Sequence, residues 1–121
     1  MSDIHELGKR GEELAAAYLK ERGYQILATN WRFGRNELDL IAKEGNVLVV
    51  AEVKTRQSDL FGEPELAVTR EKQRAIIRSA NAYVKWNRWS GETRFDVISI
   101  LVRHDRTTVN HIPDAFLAGR Y

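Results

Sequence analysis

The stretch ELDLIAKEGNVLVVAEVKTR, residues 37–56, constrains this chain more than any other part of it. Two runs rich in Leu, Ile and Val flank Gly45-Asn46, a residue pair that favours a two-residue hairpin turn. Closing the turn there sets Glu44 opposite Val47, then Ala42 opposite Val49, Leu40 opposite Ala51 and Leu38 opposite Val53. Beyond Glu44 that face is wholly apolar and must be core, because side chains alternate between the two faces of a strand. The other face pairs Ile41 with Val50, Asp39 with Glu52 and Glu37 with Lys54. One turn assignment sorts the apolar residues from the charged ones.

Directly opposed side chains have Cβ atoms about 4.5–5.5 Å apart, so Asp39 and Glu52 would be two carboxylates held together beside apolar neighbours. Like charges so placed repel, and burial adds to the cost. Either a proton is shared between them or a cation lies against both. Hard oxygen ligands suit Mg²⁺, Mn²⁺ or Ca²⁺. Lys54, next along the same face, would then reach a phosphate or a nucleophilic water. The competing reading is an ordinary Glu37–Lys54 ion pair, with Asp39 and Glu52 turned to solvent at a sheet edge. A one-residue shift of the turn would produce it.

Around this hairpin the pattern continues as a single domain over residues 1–121, long enough to close one hydrophobic core. Residues 4–22 read as a helix with Asp3 as N-cap and Gly23 as its stop. YQIL (24–27) is a short strand followed by a polar turn. QSDLFGEPELAV (57–68) is a loop, Thr69 caps a second helix running to about Trp86, and RFDVISILV (94–102) and VNHI (109–112) are strands before a tail. Pro64 and Pro113 fall in loops. The order αβββαββ implies an α/β sandwich with a mixed central sheet flanked by helices, not a repeated βαβ winding. On the first helix Glu12 lies at the border of the apolar stripe, where it can lean over the sheet, while Glu13 points to solvent. Standing alone, Glu12 reads first as a solvated helix charge.

The chain has no cysteine, which excludes disulfides and thiolate metal sites. Its start, MSDIHELGKRGEE, is too polar for a secretory signal, and no apolar run approaches a membrane span. No membrane association and a cytoplasmic location are therefore expected. The net charge of +2 names no partner, but its distribution does. Residues 70–94 hold seven basic side chains against two acidic ones. Arg70, Arg74, Arg78, Lys85 and Arg88 form a stripe beside the apolar face of the second helix, with Lys72 near its start. Such a stripe can track a phosphate backbone or can be simply a solvated face. Trp86 and Trp89 lie off the apolar stripe and could stack on bases, anchor a dimer or cap the core. His5, His104 and His111 lack ligand spacing and read as surface or structural residues.

Glu on a first helix, then Asp, then Glu-x-Lys on a hairpin resembles the metal-dependent nuclease core called PD-(D/E)xK. Over nearly its full length the chain looks like the YraN family of small bacterial nuclease-like proteins, through GKRGEELAAAYLKERGYQILATNWR, ELDLIA, EVKTR, TREKQRAIIRSANAYV, RFDVISI and HIPDAF. That family is similar to archaeal Holliday junction resolvases, which share the Gly8-to-Glu12 helix motif. The resemblance implies a restriction-endonuclease-like sandwich and a DNA endonuclease using Mg²⁺ or Mn²⁺, with branched or structured DNA as substrate. A catalytically inactive nucleic-acid-binding module is the alternative, because a fold implies less than a function. Glu12, Asp39 and Glu52 would hold the metal, Lys54 would orient or activate the attacking water, and Glu37 would be an accessory acid. Arg70, Lys72, Arg74, Arg78, Lys85 and Arg88 would contact nucleic acid. A homodimer is implied by the dimeric resolvases, with Trp86–Trp89 as its first candidate interface. Asn36 stands where the family usually has Gly, and no Pro precedes Asp39. Asn tolerates the left-handed backbone that such a turn could need.

Overall fold

A computed structural model describes residues 4–57 and 68–117. The proposed Asp3 cap and most of the 57–68 loop, with Gly62 and Pro64, lie outside the described residues. Among the described residues the elements are α1 (Ile4–Glu21), β1 (Gln25–Phe33), β2 (Asn36–Glu44), β3 (Val47–Arg56), α2 (Arg70–Trp86), β4 (Glu92–Val102) and β5 (Thr107–Phe116). The five strands form one mixed sheet in the order β1-β2-β3-β4-β5. Only β3 and β4 run parallel, as they must when α2 connects them by a crossover, and the other pairs are antiparallel.

The hairpin register follows the turn. Gly45 takes φ 58°, the left-handed conformation that such a turn requires, and the ladder pairs Glu44 with Val47 through to Leu40 with Ala51. Each face of the sheet has its own apolar cluster. Under α1, Ala15 and Leu19 pack on Leu40, Ala42, Val49, Ala51, Ile98 and Ile100. Under α2, Ile76, Ala80 and Tyr83 pack on Ile41, Leu48, Val50, Phe95 and Phe116. Both helices carry a one-sided apolar stripe, so each covers one face. The Thr69 hydroxyl accepts the Lys72 N–H at 3.1 Å and starts α2 where the sequence places it. At Gly11, a Cβ would run into Thr55 Oγ1 of β3, so the absent side chain lets α1 lie close against the sheet.

Three expectations need correction. Leu38 does not share a face with Leu40: it joins the α2-side cluster while Leu40 belongs to the α1 side. The alternation slips at the step where Asn30 of β1, at φ 51°, lies between the bridged pairs Thr29–Leu40 and Trp31–Leu38. Second, β1 runs on to Phe33, because Trp31 and Phe33 resume a strand through what reads as a polar turn. Third, Pro113 lies inside β5, not in a loop. An edge strand tolerates the missing N–H, and the register jumps there between the Phe95–Phe116 and Val97–Ile112 pairs.

Candidate metal centre

The slip at Asn30 puts Asp39 within reach of both faces of the sheet. Its flank toward α1 meets Glu12 and Glu37, and one carboxylate oxygen from each of the three lies within 4.8 Å of the others. Glu12 comes from α1, brought down by the close approach at Gly11. The Asn30 amide bridges the two glutamates, donating to Glu12 Oε1 at 2.9 Å and to Glu37 Oε1 at 3.0 Å. Arg32 Nη2 stands 3.6 Å from Glu37 Oε2. Asp39 also accepts the Val53 N–H at 2.8 Å, so its side chain takes over where the β2–β3 ladder stops at Leu40–Ala51.

Glu52 meets Asp39 as the hairpin register requires, with a hydrogen bond between the two carboxyls. Its side chain is 13% exposed, and Lys72 Nζ lies 3.5 Å from its Oε2. Burial, then the Glu52 charge and that shared hydrogen bond, push the Asp39 carboxyl up to about 8, against the opposing Val53 N–H and Lys72 charge. Glu12 is also raised, first by burial and then by Asp39 and Glu37, with the Asn30 amide working the other way. A cleft of about 220 Å³ opens beside Asp39, lined by Arg35, Asn36, Glu37, Lys72, Ala75 and Ile76.

Of the expected ligand set, Glu12 and Asp39 converge. The third acid beside them is Glu37, to which the sequence assigns only an accessory part, while Glu52 stands on the far flank of Asp39. Glu37 is displaced from its expected place facing Lys54 by the same slip that moves Leu38. Lys54 lies half-buried on β3 two residues beyond Glu52. The donors are all carboxylate oxygens, a set that fits Mg²⁺ or Mn²⁺. Sequence reasoning missed Asn30, because its role rests on a left-handed strand residue; the aromatic residues Trp31 and Phe33 after it were the available signal. Asn36 is not among the residues with positive φ, and the turn places that strain on Gly34 at 62° instead.

Along α2, Arg70, Lys72, Arg74, Arg78 and Lys85 are exposed, as is Arg88 just beyond it. Lys72 is turned to the acidic pair. Arg94, which contributes to the basic excess of that segment, is engaged elsewhere by Asp96, Tyr24 and Glu44. Trp89 packs against the α2-side cluster and donates to Glu92 O at 3.0 Å, so it caps the core. Trp86 is 72% exposed. His111 has a structural place, with Nε2 2.7 Å from the fully buried Asp96. Among the described residues no helix is long and apolar enough to cross a membrane.

Among the described residues, two helices on a mixed five-stranded sheet, with carboxylates from α1, β2 and β3 meeting around one aspartate, define a mixed α/β protein with a candidate metal centre. Residues 11–100 match the profile of the uncharacterised protein family UPF0102, the YraN family anticipated from the motifs, and the chain belongs to it. A UPF0102 protein of Chlorobium chlorochromatii is 50% identical over 117 residues, covering 92% of this chain and 91% of the relative. One from Phocaeicola vulgatus is 46% identical over 116 residues, 96% of each chain. One from Christiangramia forsetii is 43% identical over 116 residues, 96% of this chain and 98% of the relative.

Proposed function

We propose that this protein is a divalent-metal-dependent endonuclease of restriction-endonuclease-like fold, hydrolysing DNA phosphodiester bonds in the cytoplasm, with branched and structured DNA as its first candidate substrates. The observation that carries the reading is the convergence of Glu12, Glu37 and Asp39, drawn from α1 and β2, on one point, with Glu52 of β3 hydrogen-bonded to Asp39. Carboxylates from separate elements meet at a cost in repulsion and desolvation, which a bound dication offsets.

Glu12, Glu37 and Asp39 would hold Mg²⁺ or Mn²⁺, with Glu52 joining them from the other flank of Asp39. Bound there, the ion would polarise a phosphate oxygen and ease deprotonation of a water. Lys54 would orient that water and counter the negative charge that builds on the phosphate as the water oxygen attacks phosphorus and the P–O bond to the leaving strand breaks. Arg70, Arg74, Arg78, Lys85 and Arg88 would track the backbone of the substrate.

A panel of branched, flapped and single-stranded DNA with Mn²⁺ tests this reading. Cleavage of at least one substrate is expected from the wild type, and none from Glu52→Ala. A folded, Mn²⁺-binding wild type that cuts nothing would overturn it. One observation favours a second reading. Lys72 Nζ stands 3.5 Å from Glu52, where a lysine ammonium can replace an ion in neutralising the acidic pair. The protein would then be a nucleic-acid-binding module on an inactive nuclease fold. Its binding would survive Glu52→Ala and fall when Arg74 and Arg78 are neutralised.

A further inference from the structure

Beside the carboxylates lies a run of aromatic rings that neither the fold nor the metal centre accounts for. Trp86, at the end of α2, meets Trp31 of β1 edge-on at 5.7 Å. Trp31 in turn lies parallel to Phe33 at 6.3 Å. Trp31 packs on the core through Tyr83, whereas Trp86 is 72% exposed and Phe33 38% exposed. Phe33 is paired across the hairpin with Asn36, which together with Arg35 forms a wall of the Asp39 cleft. The ridge is therefore continuous with the candidate site.

We infer that this ridge is a stacking platform for an unpaired nucleic-acid strand leading into the Asp39 cleft, an inference that rests on the nuclease reading only for the strand's destination. The chemistry selects the occupant. An aromatic ring can stack only on a base whose face is free, and paired bases inside a duplex bury both faces on their neighbours. Any base offers such a face, so the platform is tolerant of sequence. The flanking charges fit a phosphate backbone: Lys85 and Arg88 border Trp86 in sequence, both exposed, and Arg35 lies at the cleft end. A second copy of this chain fits less well. The core of a protein interface is depleted in charge, and a two-fold contact here would bring the same basic residues of both copies together.

The test is fluorescence anisotropy in EDTA, so that nothing is cut, with oligothymidine of about 15 nucleotides and a blunt duplex of equal length. The wild type should bind the single strand more tightly than the duplex. Trp86→Ala should weaken single-strand binding about five-fold or more and duplex binding less than about two-fold. Trp86→Phe should recover most of the loss, and Phe33→Ala should act in the same direction as Trp86→Ala. The ring of Trp86 is exposed enough that its removal should leave the melting transition near that of the wild type. A folded Trp86→Ala protein that binds oligothymidine as the wild type does would overturn the inference. So would a wild-type dimer in light scattering that dissociates on Trp86→Ala, since the ridge would then be an interface between copies. A protein that binds through Trp86 yet never cuts overturns the nuclease reading and leaves the platform standing; one that cuts but ignores Trp86 does the reverse.

Discussion

Asn30 does two jobs with one side chain and one dihedral. Its φ of 51° turns the alternation of β1 at the step beside Asp39, and its amide ties Glu12 to Glu37. The two can be separated. Asn30→Gly keeps the backbone and loses the amide, while Asn30→Ala loses the amide and adds left-handed strain of about 1 kcal/mol. Urea denaturation should rank the alanine variant less stable than the glycine variant by about that amount; equal stability would mean that the positive φ is not required. Lys72 offers a second residue-level test. Its ammonium neutralises Glu52 and would repel an incoming dication. Lys72→Gln should therefore tighten Mn²⁺ binding several-fold in a calorimetric titration, and weaker binding would show that Lys72 supports the site. The carboxylates themselves were legible in the sequence, because the Gly45-Asn46 turn sets Asp39 against Glu52. The assignment of Glu37 was not, since it depends on a slip that a period-two pattern does not contain.

At the scale of elements, packing and propensity make opposite claims at Gly11. Alanine is the better helix former by about 1 kcal/mol, yet its Cβ would collide with Thr55 of β3. Overpacking of this kind costs roughly 1–3 kcal/mol, so packing should win. Gly11→Ala should lower the melting temperature and, by lifting α1, draw Glu12 away from Asp39. A raised melting temperature would show that α1 is not seated as described. Both helices, the central hairpin and β4 can be read from apolar spacing and cap residues, since each helix buries one stripe and the central strands are apolar runs buried on both faces. The edge strands resist that reading for a physical reason. β1 and β5 have a neighbour on one side only, so they tolerate Asn30, Pro113 and Asp114 at positions where a central strand would not. Asp114 shows the compensation: at φ 55° it donates its N–H to Asp96 Oδ1 at 2.9 Å, anchoring the irregular part of β5 to a buried carboxylate.

For the whole molecule, the buried Asp96 and the half-buried Asp39 act on stability in opposite directions with pH. Asp96 is held below the ordinary carboxylate range, against the pull of burial, by Arg94, the Asp114 N–H and His111, so its contribution is lost as pH falls through the acid range. Asp39 is raised, so without metal the folded protein keeps a proton that the unfolded chain releases. Stability should therefore decline as pH rises from about the ordinary Asp value toward about 8. Chemical denaturation in EDTA at pH 6 and pH 8.5 should show the wild type weaker at the higher pH, with the difference reduced in Asp39→Asn. An unchanged difference would deny Asp39 its raised pKa. Divalent metal should reverse the trend, because the deprotonated pair is what binds it. The electrostatic conflict at the heart of the fold is resolved either by a proton or by an ion. Isothermal titration of Mn²⁺ at neutral pH tests the ion most directly: the wild type should bind it saturably and Asp39→Asn should not. Absence of binding by the wild type, or equal binding by a folded Asp39→Asn, would contradict a metal centre built around Asp39.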